Sequence, residues 1–317
     1  MNEPVAYLNG RFIPARDATI SIVDAGFVLG ATVTEQLRTF GGRLFRSDRH
    51  FQRLAHSLEI CGIDPGISID DFARIADELV GRNYPLLAPG DDLGLAIFVT
   101  PGPYPALAGG DLPAASGIRP PTSDLRPPTV GLHTFPLAFH LWADAYHRGV
   151  SLVTTSIQQV PGECWPRELK CRSRMHYYLA DREAAAKQPG ARALLLDGDG
   201  RVAETSTANT VIYKSDTGLI SPPRTTVLPG VSLEVVIELA AQLGIPLTER
   251  ELHPDDVATA DEALLSSTPN CLLPVARFNG QPIGKAADRP IFNRLLAAWN
   301  NLVGIDIADQ AKRFEPR

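Results

Sequence analysis

A lysine suited to covalent chemistry lies in the stretch RELKCRSRMHYYLADREAAA, residues 167 to 186, where Lys170 precedes a segment with helical character. A lysine amine attacks a carbonyl carbon only when it is deprotonated, and burial or a nearby cation lowers its pKa toward that state. Arg167, Arg172 and Arg174 supply such cations close by in the sequence. The same pattern also fits an ordinary solvated basic surface, so this stretch alone leaves both interpretations open.

Two other stretches carry the donors of an anion site. In VLPGVSLEVVIELAAQLG, residues 227 to 244, Gly230 completes a turn and Ser232 opens a predicted helix. The unpaired N–H groups of a helix start, a serine hydroxyl and a glycine that permits close approach can together hold a phosphate. In LLSSTPN, residues 264 to 270, the hydroxyl groups of Ser266, Ser267 and Thr268 come just after a predicted strand. Each stretch is also compatible with a plain helix start or strand end.

A carboxylate is predicted to point into the protein at Glu204, in RVAETSTAN. It lies on the second arm of a hairpin that turns at Asp197 to Gly200, two residues after Val202. Residues two apart in a strand share a face, and a glutamate on an inward face needs a partner. A protonated pyridine nitrogen or a nearby arginine would each provide one.

The composition excludes several classes of protein. The chain has 317 residues, of which 44% are hydrophobic and 21% charged, and a net charge of -6. Its length favours two domains, and its charge does not favour binding to nucleic acid or to an anionic membrane. The start MNEPVAYLNGRF lacks a signal-peptide pattern, and no apolar run is long enough to span a bilayer, so we expect a cytoplasmic enzyme.

Common metal and nucleophile motifs are also missing from the sequence. The four cysteines form no C-x-x-C pair, and neither H-E-x-x-H nor G-x-S-x-G occurs. Zinc hydrolase and serine hydrolase chemistry therefore lose their usual support, and we expect no metal site.

The elements that must position these residues follow an α+β pattern in two domains, residues 1–137 and 138–317. In the first, hairpins turn at Asn9-Gly10 and Gly41-Gly42, and helices capped at Ser47 and Ser68 cover one face of an antiparallel sheet. The proline-rich stretch 101–128 is predicted to be a loop near the substrate mouth. In the second domain, helices are predicted after Lys170, from Ser232 to Leu243 and near 290–302.

Taken together, the blocks LK at 169–170, ETSTAN at 204–209, LPGVS at 228–232, SSTPNCLLPV at 266–275 and the early DAGFVLGATVTEQLRTFGGRLFRSDRHFQRL resemble the fold-type IV pyridoxal phosphate enzymes. That family includes branched-chain and D-amino acid aminotransferases and aminodeoxychorismate lyases. The resemblance runs in the same order from about residue 6 to about residue 285. It implies an α+β fold like that of the D-amino acid aminotransferases, with the active site between the two domains, and a homodimer.

The resemblance also implies roles for individual residues. Lys170 would form the Schiff base with pyridoxal 5'-phosphate and shuttle the proton. Glu204 would keep the pyridine nitrogen protonated, so that the ring can act as an electron sink. The cofactor phosphate would be held by Arg53, by the backbone amides of Val231 and Ser232, and by the hydroxyl of Thr268.

The substrate positions depart from the family patterns. D-amino acid transaminases carry an arginine where this chain has Pro101 and a tyrosine where it has Phe27, and branched-chain enzymes carry a tyrosine where it has Met175. Arg38 matches an arginine of the branched-chain enzymes. The resemblance therefore favours a transaminase that takes an amino donor and a 2-oxo acid acceptor. A lyase that releases pyruvate and a protein that has kept the fold but lost turnover are the alternatives.

Overall fold

The computed structural model describes residues 3–107, 127–284 and 288–315. By its internal contacts the chain divides into two units, Met1–Leu137 with Leu169–Ser173, and Ala138–Glu168 with Arg174–Arg317. The five residues around Lys170 therefore belong to the first unit, although in the sequence they follow the expected boundary at residue 137. Residues 108–126 of the proline-rich stretch lie outside the described residues.

The first unit is built on an antiparallel sheet with the strand order β2-β1-β6-β5-β3-β4. Its strands are β1 Val5–Leu8, β2 Arg11–Pro14, β3 Val33–Phe40, β4 Arg43–Leu44, β5 Leu93–Thr100 and β6 Thr129–Pro136, and its helices are α1 Ala25–Val28, α2 Ser47–Cys61 and α3 Ile69–Asn83. The predicted turns at Asn9-Gly10 and Gly41-Gly42 join β1 to β2 and β3 to β4, with positive φ at all four residues.

Helices α2 and α3 pack on one face of this sheet, as the sequence predicts. Phe51, Leu54 and Leu58 of α2 and the apolar stripe of α3 form one buried cluster with side chains from β3, β5 and β6. The apolar residues at helical spacing therefore face the sheet, and burial of this surface is the main stabilising contribution of the unit.

The starts of α2 and α3 differ. Ser68 caps α3 with a complete capping box, in which its hydroxyl accepts from Asp71 N at 3.1 Å and the Asp71 carboxylate accepts from Ser68 N at 3.3 Å. Ser47 was predicted to cap α2 in the same way, and this prediction is wrong. Arg46 is the N-cap, in a left-handed conformation with φ 50°, and Ser47 is the first residue of the helix.

The second unit contains a larger mixed sheet with the order β12-β11-β10-β13-β14-β7-β8-β9. Its strands are β7 Val150–Thr154, β8 Arg192–Leu196, β9 Val202–Thr205, β10 Asn209–Lys214, β11 Gly218–Ser221, β12 Leu247–Glu249, β13 Glu262–Ser267, β14 Cys271–Phe278 and β15 Gln281–Pro282; its helices are α4 Ala145–Arg148, α5 Met175–Lys187, α6 Val231–Gln242, α7 Pro254–Ala258, α8 Pro290–Val303 and α9 Ile307–Arg313.

The last strand of this sheet pairs back to its middle. Glu204 of β9 lies opposite Asn209 of β10, so the pairings β10-β13-β14-β7-β8-β9 return to β10. Helix α5 packs against β7 and β8 through the small, fully buried side chains of Ala180 and Ala184. These alanines let the helix approach the sheet closely, and the approach fixes the position of the residues at its N-terminal end.

None of the helices formed by the described residues combines the length and the apolar character that a membrane span needs.

The two helix starts yield a stability prediction. We expect Ser68→Ala to lower the free energy of unfolding by about 1 kcal/mol, because the Asp71 N–H loses the hydroxyl that accepts its hydrogen bond. Ser47→Ala is the matched control, since Ser47 provides no side-chain cap, and its effect should stay below about 0.5 kcal/mol. Urea denaturation followed by far-UV circular dichroism measures both. Equal losses in the two variants would contradict the assignment of the caps.

Candidate active site

Main-chain hydrogen bonds fix Lys170 beside the start of β3. Its N–H donates to Ser57 Oγ at 3.2 Å, and its carbonyl accepts from Thr34 N at 3.0 Å. Arg172 N donates to Thr32 O at 2.9 Å, and Cys171 lies opposite Val33 in an antiparallel bridge. The segment is therefore extended, and helix α5 begins only at Met175. Lys170 is half-buried and held on both sides of its Cα, a position unlike that of a lysine on a solvated helix.

A buried charged cluster lies in the same unit, on β3 and α2. The Glu35 carboxylate accepts from Arg53 Nε at 2.7 Å and from Arg53 Nη2 at 3.0 Å, and His50 Nδ1 lies 2.8 Å from Glu35 Oε2. His50 and Arg53 are three residues apart on α2 and so share a helix face. The bidentate pair fixes the plane of the Arg53 guanidinium.

The charges of this cluster are set by its burial and by its pairing. Burial raises the pKa of Glu35, but the charge of Arg53 and the hydrogen bonds from His50 and Arg53 outweigh it and hold the pKa well below its usual range. Burial lowers the pKa of His50, against the opposing effect of Glu35, and the positive charges of Arg53 and Lys170 act in the same direction as burial. At neutral pH the cluster therefore holds a carboxylate, a guanidinium and a neutral imidazole.

Glu204 in the second unit is 5% exposed and has neutral donors around one oxygen. Its Oε1 accepts from Gln159 Nε2 at 2.7 Å and from the Tyr177 hydroxyl at 2.8 Å. The sequence predicted a buried glutamate that needs a partner, and these contacts supply an amide and a phenol.

The N-terminal end of α6 lies against β10, in which Asn209 is the partner of Glu204. Gly230 is the N-cap, and a Cβ built there would lie 2.0 Å from Asn209 Oδ1. Asn209 Nδ2 in turn donates to Leu228 O at 2.9 Å, and Asn209 lies opposite Glu204 on β9 and Ser266 on β13. Glycine is thus required by the close approach of the turn to β10.

The donors around this turn fit a phosphate group. Val231 and Ser232 are the first two residues of α6, where backbone N–H groups have no partner within the helix. Ser266 Oγ is buried and makes no hydrogen bond to any part of the chain that the structure describes. Thr268 follows β13 directly, two residues after Ser266. A helix N-terminus beside hydroxyl groups is a common anion site, so these residues can hold the phosphate of a cofactor.

The three candidate substrate residues have different surroundings. Phe27 on α1 and Met175 at the start of α5 are 74% and 69% exposed, so their side chains are accessible to a ligand. Arg38 on β3 is buried within the first unit, where its guanidinium lies 3.9 Å from the centre of the Phe40 ring and its Nε donates to Thr39 O at 3.2 Å. Arg38 packs on the Phe40 ring, and its burial weighs against a direct contact with substrate.

The structure adds residues that the sequence analysis missed. Glu35 is two residues from Val33 and from Leu37, both of which are in the core, so strand alternation would have marked it as an inward charge that needs a partner. His50 and Gln159 carry no local signal, because their partners are distant in the sequence.

Known proteins resemble this chain along most of its length. The family model described as amino-transferase class IV matches residues 32–278. The D-alanine aminotransferase of Bacillus licheniformis is 27% identical, over 93% of this chain and 95% of that protein.

Solved structures resemble it as well. The branched-chain amino acid aminotransferase of Escherichia coli has a TM-score of 0.83 at 24% identity, with 95% of each chain covered. The T.th. branched-chain amino acid aminotransferase with pyridoxamine 5'-phosphate has a TM-score of 0.80 at 23% identity, again with 95% of each chain covered.

The buried cluster makes the first unit sensitive to acid. Since the pKa of Glu35 is lower in the folded than in the unfolded chain, its pairing stabilises fully above about pH 4.5, its ordinary value, and this stabilisation decreases as the pH falls further. We expect Glu35→Gln to cost about 3 kcal/mol at pH 7, because Arg53 stays buried without its anion, and to weaken the acid dependence. Denaturation at several pH values measures both effects.

The control for this variant is Glu59→Gln. Glu59 is on the same helix as Arg53, and its side chain is 84% exposed. It should change stability by less than about 0.5 kcal/mol. An effect of Glu35→Gln no larger than this would contradict the pairing described.

The contact at Gly230 predicts a strong local effect. Gly230→Ala places a methyl group against Asn209 Oδ1, and we expect a loss of about 1–3 kcal/mol in the stability of the second unit. Gly198→Ala is the control, because a Cβ there meets nothing within 4 Å. Thermal denaturation followed by tryptophan fluorescence reports on this unit, which contains all three tryptophans, Trp142, Trp165 and Trp299. A Gly230→Ala variant as stable as Gly198→Ala would contradict the close approach.

Proposed function

The chain belongs to the class IV aminotransferases, and from this premise we propose that it binds pyridoxal 5'-phosphate through Lys170 and transfers an amino group between an amino donor and a 2-oxo acid. The family match shows that the protein is a transaminase. The structural likeness also confirms the predicted fold-type IV α+β fold. The assignment of the cofactor to particular residues of this chain is our proposal.

One observation carries this proposal. The family match runs from residue 32 to residue 278 and so includes every residue that the sequence analysis assigned to the cofactor, from Arg53 to Thr268. Class IV aminotransferases depend on pyridoxal phosphate, and the T.th. structure contains its amino form, pyridoxamine 5'-phosphate. When bound, this group supplies an aldehyde carbon that condenses with amines and a ring that withdraws electrons.

Lys170 has the central role in the proposed reaction. Before substrate binds, its Nζ would be bonded to the aldehyde carbon of the cofactor. Once displaced by the substrate amine, Nζ would take a proton from the substrate Cα and deliver it to that cofactor carbon. Both steps need a lysine whose backbone does not move, which the hydrogen bonds from Lys170 N to Ser57 and from Thr34 N to Lys170 O support.

The other residues would hold the two ends of the cofactor. Arg53, oriented by its bidentate pair with Glu35, would bind the phosphate together with the N–H groups of Val231 and Ser232 and the Thr268 hydroxyl. At the opposite end, Glu204 would accept a hydrogen bond from the ring nitrogen and keep it protonated.

The substrate is defined only by class. Relatives and similar structures are named for D-alanine and for branched-chain amino acids. This chain has Pro101 and Met175 in place of the arginine and tyrosine that those two groups carry, and Arg38 is buried on Phe40. We therefore propose an amino acid or simple amine as donor and a 2-oxo acid as acceptor.

We also propose that the protein is a homodimer. Large apolar side chains between residues 20 and 29 are exposed on the first unit, namely Ile20, Ile22, Phe27 and Leu29. A group of exposed apolar residues this dense is typical of a surface that another protein covers. The cytoplasmic location expected from the sequence stays a prediction.

The lyase alternative is not favoured, because the matching family and the relatives described above are aminotransferases. Loss of turnover with retention of the fold has no support from the site, since Lys170 and Glu204 are both present.

The proposal predicts a coloured protein. Pyridoxal 5'-phosphate added to the purified chain should give a visible absorption band, and one amino donor should convert it to the colourless amino form while releasing the 2-oxo acid or other carbonyl product that corresponds to that donor. Lys170→Ala should abolish both the band and the amino transfer while keeping the fold, because the contacts described for Lys170 are main-chain contacts that alanine retains.

Lys187→Ala is the control, since Lys187 pairs with Glu183 on the surface of α5. It should keep the band. Amino acids of both hands, simple amines and aminodeoxychorismate should be tested as donors, with pyruvate assayed in parallel. A band in Lys170→Ala equal to that of the wild type would contradict the assignment of Lys170, and pyruvate release from aminodeoxychorismate would favour the lyase.

A further inference from the structure

A hydrogen-bonded network of side chains contacts one oxygen of the Glu204 carboxylate. Gln159 Nε2 lies 2.7 Å from Glu204 Oε1 and 3.0 Å from the Tyr177 hydroxyl, which itself lies 2.8 Å from the same carboxylate oxygen. His176 Nε2 lies 3.1 Å from Gln159 Oε1. The four side chains come from a loop, from the first turns of α5 and from β9, so the network joins three separate parts of the second unit.

The hydrogen positions in this network follow from its geometry. An ionised carboxylate only accepts hydrogen bonds, so Gln159 must direct its NH2 group toward Glu204, and the second hydrogen of that group meets the Tyr177 oxygen. Tyr177 then donates its own hydrogen to Glu204. Gln159 Oε1 is left to accept, which requires a proton on His176 Nε2.

The ionisation of the surrounding groups agrees with this arrangement. Burial and the positive charges of Arg174 and Arg167 lower the pKa of His176 to about 4, so the ring is neutral at pH 7 and can carry its one proton on Nε2. Burial and the charge of Glu204 raise the pKa of Tyr177 well above its usual value, so Tyr177 remains a donor. Gln159 and Tyr177 therefore both donate to Glu204, and His176 donates to Gln159.

The Tyr177 ring is itself held in place. Arg174 lies with its guanidinium carbon 5.1 Å from the centre of the ring and donates to the Ser206 carbonyl, two residues after Glu204. Tyr177 also packs beside the buried alanines by which α5 contacts β7 and β8. The phenol oxygen therefore has little freedom to leave the carboxylate.

We propose that Gln159 and Tyr177 are positioning residues that hold the Glu204 carboxylate, ionised and in one orientation, for the ring nitrogen of the cofactor. The inference rests on the proposed function and goes beyond it, because it gives two further residues a role in binding the cofactor, which they exert through Glu204. Two donors on one oxygen stabilise the charged form and restrict rotation of the carboxylate. Because both donors are neutral, they leave the charge of Glu204 available to the ring nitrogen.

The test compares two adjacent tyrosines. Tyr177→Phe removes only the hydroxyl and keeps the ring under Arg174, whereas Tyr178→Phe removes a hydroxyl from a side chain that is 62% exposed. Each protein is stripped of cofactor and titrated with pyridoxal 5'-phosphate. We expect Tyr177→Phe to weaken binding by about tenfold, as for the loss of one hydrogen bond to a charged group, and to shift the visible band, and we expect Tyr178→Phe to do neither.

A double-mutant cycle separates positioning from simple structural support. In a Glu204→Gln background, Tyr177→Phe should cause no further loss of affinity and no further shift of the band, because the carboxylate through which it acts is gone. An undiminished effect in that background would overturn the proposal. Gln159→Met, which keeps the length of the side chain and removes both donors, provides a second variant and should behave like Tyr177→Phe.

Failure of this inference is distinguishable from failure of the proposed function. No visible band in the wild-type protein would overturn the cofactor assignment itself. A normal band in the wild type, with Tyr177→Phe and Gln159→Met both indistinguishable from Tyr178→Phe, would leave the transaminase standing and overturn only the role of the network.

Discussion

The cost of placing a carboxylate inside a protein is the constraint on which both units depend. Glu35 meets it with a cation, because Arg53 approaches both of its oxygens and His50 adds a further hydrogen bond. The donors that reach Glu204 from Gln159 and Tyr177 are instead neutral. The same residue type therefore serves two purposes. Glu35 and Arg53 neutralise each other and fix a guanidinium, whereas Glu204 is held without losing its charge to these two donors.

The groups proposed to hold the cofactor are restricted by the backbone structure around them. The N–H groups of Val231 and Ser232 are part of a helix, and Gly230 brings that helix start against Asn209 of the sheet. Lys170 is bound through its own main chain. Groups of this kind lose little conformational entropy when a ligand binds, so they are suited to hold a cofactor in one geometry.

The sequence predicts those parts of the fold and site that depend on local patterns. The turn at Asn9-Gly10 and the cap at Ser68 follow from neighbouring residues and are present as predicted. Ser47 has an equally favourable residue type for an N-cap, but Arg46 adopts a left-handed conformation and is the N-cap instead. The preference of serine for N-cap positions does not reveal this conformation of the preceding residue. The parts that the sequence could not predict depend on contacts between distant residues. Gln159 reaches Glu204 across 45 positions, and the Tyr177 hydroxyl reaches it across 27. The burial of Arg38 was likewise invisible, because Arg38 is on the face of β3 opposite to Glu35, and strand alternation does not reveal that this second face is buried too.

The return of residues Leu169–Ser173 to the first unit has a consequence for the order of synthesis. A chain emerging from the ribosome completes β6 at Pro136 well before it reaches the segment that pairs with Thr34. Domains generally fold as units during translation, with the N-terminal one first. Here the first unit cannot be completed until Leu169–Ser173 have been made, and these residues follow Ala138–Glu168 of the second unit. Until then the start of β3 lacks the segment that pairs with it. Nascent chains of this protein therefore pass through an interval in which most of the first unit has been made but Lys170 is still absent.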